Sequence, residues 1–65
     1  MVGRCIKEFL TGNGIKQSYL SEKTGISEAA ISRMLSGNQK IDVMDYFRIC
    51  QALNQPMTKF IEKGG

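Results

Sequence analysis

Sixty-five residues, 42% hydrophobic and 23% charged, describe one small globular unit, too short for several domains and too apolar for a disordered chain. A net charge of +3 is mildly basic and permits a nucleic-acid partner without demanding one. The chain holds no apolar run of about eighteen residues, its start MVGRCIKEFL is too charged for a secretory signal, and Cys5 and Cys50 form no CxxC and have no histidine beside them, so a membrane span, an export signal and a zinc site are not expected.

The first helix is predicted over Val2–Leu10, with Val2, Ile6, Phe9 and Leu10 as its apolar stripe and Arg4, Lys7 and Glu8 opposite. Thr11-Gly12-Asn13-Gly14 stops it, with Gly14 in the left-handed region and Ile15 buried beyond. A second helix follows over Gln17–Thr24, turning Leu20, Ser21 and Thr24 inward and Tyr19 to the surface. Lys16 brings no capping oxygen to its start, an omission worth about 1 kcal/mol. Gly25 ends the helix, Ser27 caps the next one, and Glu28 suits the positive end of its dipole.

The third helix, Glu28–Ser36, is two-sided. Ala30, Ile31 and Met34 share one side with Leu35 at its border, and Glu28, Ala29, Ser32, Arg33 and Ser36 share the other. The second side is small and hydrogen-bonding, is not needed for a core, and can lie close against another molecule. Gly37 ends the helix, and Asn38-Gln39-Lys40 is a polar loop. Asp42 then caps a helix over Val43–Leu53, with Asp45 at capping-box spacing. Val43, Tyr46, Phe47, Ile49, Cys50 and Leu53 are expected to form its buried face, and Asn54 a left-handed stop. Pro56 opens a fifth helix to about Lys63, carrying Met57, Phe60 and Ile61.

Two helices joined by a short turn with glycine first describe a helix-turn-helix, whose second helix enters the DNA major groove in its DNA-binding form. At Gln17, Leu20, Gly25, Ile26-Ser27, Ile31-Ser32 and Leu35-Ser36-Gly37 the sequence resembles the Cro and phage-repressor (XRE-like) family, and the likeness runs from about Ile6 to Ile61. The resemblance implies an all-α, compact five-helix lambda-repressor-like domain over residues 1–65, with its motif at 17–37. It implies a sequence-specific regulator of transcription, expected to be a repressor, in the cytoplasm and on the nucleoid of a bacterium or a phage host.

That resemblance assigns roles. Ser27, Glu28, Ala29, Ser32 and Arg33 are expected to face base edges: Glu28 accepts from a cytosine amino group, Ala29 touches a thymine methyl, and Arg33 grips guanine or a phosphate. Lys16, Gln17, Ser36, Asn38, Gln39 and Lys40 are expected on phosphates, the plainer alternative for each being a solvated polar side chain. In the family a glutamine at the place of Gln17 also packs between the two helices. The chain departs from the pattern at Lys16, where relatives carry a capping residue, at Ser21, where they prefer alanine, and at Glu28-Ala29, where many carry glutamine or asparagine. Glu28 is also repelled by phosphates, so DNA shape is expected to carry much of the specificity. In related repressors the last helix or the chain beyond it contributes to pairing, which makes a homodimer, through Met57, Phe60 and Ile61, the expectation here. No cofactor, metal, small-molecule ligand or catalytic residue is expected, since no nucleophile–base pair is present. The alternative is an antitoxin-like protein-interaction module with weak or no DNA binding. The Ala29-Ala30 pair and the low charge are compatible with it.

Overall fold

The structure, a computed structural model, describes residues 2–61. Its helices are α1 (Val2–Gly12), α2 (Gln17–Thr24), α3 (Glu28–Ser36) and α4 (Val43–Ala52), and no strand occurs among the described residues. Helix α1 lies against α3, and α2 lies against both α3 and α4. The core between them is Ile6, Leu10, Leu20, Ile31, Met34, Leu35, Tyr46, Ile49, Cys50, Leu53 and Phe60. Each helix contributes an inward row at helical spacing, which is why short helices suffice to close it.

The stops fall where turn chemistry places them. Gly14 has φ 67° and Asn54 φ 57°. Asp42 accepts from the Asp45 amide at 2.8 Å, whereas Lys16 caps α2 with no side-chain bond. Helix α1 runs to Gly12, past the expected end at Leu10, and Ile15 is half-buried.

Two expectations are corrected. Val43 and Phe47 are not in the core: they are 74% and 40% exposed, beside an exposed Met44. Tyr46, Ile49, Cys50 and Leu53 already fill the side of α4 that meets the other helices, and Val43 and Phe47 project from its flank. The fifth helix is also absent from the described residues. Residues 57–60 form a turn, closed by the Lys59 amide donating to the Pro56 carbonyl at 3.0 Å, and the expected end at Lys63 lies outside the described residues. In a helix from Pro56, the Phe60 amide would donate to Pro56 and the Met57 carbonyl would accept from Ile61. The Tyr46 hydroxyl takes both groups instead. It donates to the Met57 carbonyl and accepts from the Phe60 amide at 3.4 Å. The Phe60 ring then enters the core edge-on to Phe9, with centroids 5.5 Å apart.

Gly3 was not singled out by the sequence, yet α1 depends on it. It is buried, and a Cβ there would lie 2.3 Å from the Met34 carbonyl oxygen. Backbone meets backbone at this crossing. Gly3→Ala is therefore expected to lose about 1–3 kcal/mol in urea unfolding. Gly12→Ala, whose Cβ meets nothing within 4 Å, is expected to be neutral or to gain up to about 1 kcal/mol. Equal midpoints for the two variants would show that the crossing is looser than described. Tyr46→Phe is expected to cost about 1–2 kcal/mol and to speed hydrogen exchange at the Phe60 amide; unchanged exchange there would remove the hydroxyl as the clasp.

Candidate nucleic-acid interface

The position of α3 is decided at the turn before it. Gly25 takes φ 77° and its amide donates to the Ser21 carbonyl at 2.9 Å. The Thr24 hydroxyl, buried, donates to the Leu20 carbonyl at 2.7 Å and accepts from the Ile26 amide at 3.1 Å. The Ser21 hydroxyl donates to the Ile26 carbonyl at 2.6 Å. Both backbone groups of Ile26 are thus held by side chains of α2, while its own side chain packs on the core. Ser27 follows in extended conformation, and its Oγ accepts from the Ala30 amide at 3.1 Å. That bond uses a lone pair and leaves the hydroxyl proton available.

Helix α3 buries Ile31, Met34 and Leu35. Ser27, Glu28, Ala29, Ser32, Arg33 and Ser36 are all exposed on its other side. No large apolar residue stands among them. At the far end Gly37 adopts φ 88°, and the Asn38 amide donates to the Arg33 carbonyl at 2.9 Å. The Ser36 hydroxyl donates to the same carbonyl at 3.1 Å and accepts from Asn38 Nδ2 at 3.2 Å. Arg33 Nε donates to Gln39 Oε1 at 2.9 Å.

The structure therefore joins some of the expected site residues and not others. Arg33 meets Gln39, and Ser36 meets Asn38. Lys40 is exposed beside them and lines, with Gln39, Val2, Ile41, Val43 and Ile61, an open groove of about 440 Å³. Lys16 and Gln17 begin α2 and share no hydrogen bond with the α3 group among the described residues. Lys16 borders a different shallow groove, about 620 Å³, with Tyr19, Glu22 and Asn54. Tyr19 is a surface residue, with the Lys23 ammonium 5.7 Å from its ring.

The expected pairing patch needs correction. Phe60 is only 3% exposed and belongs to the core, and Met57 is half-buried. Ile61 alone of that trio is open, at 54%. The outward apolar residues that sequence reasoning placed inside are Val43 and Phe47, with Met44 between them.

Groups with shifted acidity lie away from α3. Burial pushes the Tyr46 hydroxyl above its usual value, and burial raises the Cys50 thiol as well. Both are kept neutral in the core. No group of three potential metal ligands occurs among the described residues.

A glycine turn that mounts a nine-residue amphipathic helix, apolar side inward and lean polar side out, defines a helix-turn-helix unit. A helix-turn-helix family profile matches residues 6–60, and the chain belongs to that family, of the XRE type. No curated protein and no solved structure matched the chain. The family's domain is a DNA-binding one and not an enzyme.

Gly25→Val is expected to lose about 1–2 kcal/mol, although a Cβ there meets nothing within 4 Å; the cost is backbone strain at positive φ. Gly25→Asn, which tolerates that region, is expected to retain most of the stability. A valine variant with the parent melting temperature would remove Gly25 as the turn's determinant.

Proposed function

We propose that this chain is a sequence-specific regulator of transcription that binds double-stranded DNA as a homodimer and represses by occupying its site. The observation that carries the reading is the outer side of α3, where six positions are exposed and polar or small, with no large apolar side chain among them. An α-helix so trimmed fits a major groove about 12 Å wide. Ser27, Glu28 and Ala29 lie at its N-terminal end, which meets bases first, with Ser32 and Arg33 one turn on. Lys16, Gln17, Ser36, Asn38 and Lys40 take phosphates and fix the register. Such a protein works in the cytoplasm, on the nucleoid.

Pairing is supported by the apolar residues Val43, Met44 and Phe47 of α4 and by Ile61, which shares a groove with Val43; the core leaves all four exposed. We assign them to a second copy. One α3 reads only a few base pairs, and two-fold pairing doubles both the phosphate contacts and the bases read. The same residues would serve a protein-interaction module, the second reading. Sedimentation with and without duplex separates the two. A homodimer that binds duplex supports the regulator; capture of a different protein with no duplex binding supports the module.

If about four to six phosphates are neutralised per dimer, the logarithm of affinity is expected to fall with log salt at a slope of about −4 to −5. Random-duplex selection at moderate salt should return half-sites about one helical turn apart. Arg33→Ala is expected to cost about 1–3 kcal/mol at the selected site. Unchanged affinity would take Arg33 out of the interface, and no duplex binding even in dilute buffer would end the proposal.

A further inference from the structure

We infer that Gln39 is a positioning residue: it holds the guanidinium of Arg33 in the orientation that reads DNA, and does not itself grip a phosphate as its loop had implied. The inference rests on the DNA-binding reading above and names a specificity determinant within it.

An arginine carries five N–H donors in a planar fork. On an exposed helix face its side chain samples many rotamers, and ordering it costs up to about 2 kcal/mol. Here one donor is already committed. Arg33 Nε donates to Gln39 Oε1 at 2.9 Å. The side edge of the fork is thereby occupied, and the end edge, with its two terminal nitrogens, stays free for a paired acceptor such as guanine O6 and N7 or two phosphate oxygens.

Gln39 is suited to this by its own anchoring. It is half-buried, whereas its neighbours Asn38 and Lys40 are exposed. Its loop is pinned to the end of α3 by Gly37 and by the Asn38 amide on the Arg33 carbonyl. The residue that supplies the guanidinium thus also supplies the carbonyl that fixes its clamp. The clamp is neutral. Arg33 makes no ion pair among the described residues, so its full charge is kept for the nucleic acid. A carboxylate in the place of Gln39 would orient the fork equally and cancel that charge.

The test uses Gln39→Ala, Gln39→Glu and Arg33→Ala, with binding measured on the selected duplex and on random duplex. Gln39→Ala is expected to weaken the selected site by about 2- to 10-fold while leaving random-duplex affinity and the salt slope unchanged. The loss should vanish when Arg33 is already alanine. Gln39→Glu should weaken both duplexes. A loss from Gln39→Ala that is equal on both duplexes, and that persists in the Arg33→Ala background, would make Gln39 a phosphate contact and overturn the inference. So would no loss at all. The clamp is also read without DNA. The Arg33 Nε–H resonance should be shielded from exchange in the parent protein and lost in Gln39→Ala. If the parent chain binds no duplex, the DNA reading fails while that resonance still judges the clamp.

Discussion

Ile26 stands between two helices with its amide held by Thr24 and its carbonyl by Ser21, and the use of α3 depends on that double tether. A helix can present one chosen side to a partner only if its rotation about its own axis is fixed. Burial of Ile31, Met34 and Leu35 sets the rotation broadly, but apolar contact is non-directional. The hydrogen bonds at Ile26 are directional and short-range. They convert a greasy contact into a defined angle between α2 and α3. The left-handed Gly25 is what lets the chain double back closely enough for side chains of α2 to reach the residue after it.

The rest of the chain keeps that pair from coming apart. A domain of this size buries only about 60% of the surface its unfolded chain exposes, so few contacts are spare. Helix α1 reaches α3 through a bare glycine at Gly3, which brings backbone within contact of the Met34 carbonyl. The segment after Pro56 is drawn in by a side chain and not by a helix: Tyr46 takes its backbone groups and Phe60 fills the core against Phe9. Both devices close the back of the molecule and leave the outer side of α3 untouched.

Much of this was legible in the residues. The periodic stripes, the glycine stops, the Ser27 and Asp42 caps and the two sides of α3 all follow from local rules. What was missed depends on distance in sequence. Phe60 and Tyr46 meet across fourteen residues, and nothing local says that a tyrosine hydroxyl will outcompete a helix for its backbone carbonyl and amide. Val43 and Phe47 read as core because an apolar row on a short helix does not reveal which part of it the neighbours cover. Gly3 left a fainter trace. It stands three residues before Ile6 and seven before Leu10, on the inward row, and a glycine there marks a close approach. The Arg33–Gln39 bond left none, since it needs the geometry of the Gly37 turn.

That bond bears on how so modest a charge can serve recognition. With Glu28 on the same exposed side as Arg33, the α3 face is close to neutral, and long-range attraction contributes little there. On the proposed reading, non-specific grip would come from lysines at the edges, Lys16 and Lys40, which stand on different grooves of the surface. Discrimination would then come from geometry. A guanidinium fixed along its side edge meets one arrangement of acceptors well and others poorly, and Glu28 adds a penalty wherever a phosphate comes too near. On the proposed reading, a face built this way would sacrifice affinity for any DNA in order to widen the gap between the right site and the wrong ones, and pairing of two copies would restore the affinity.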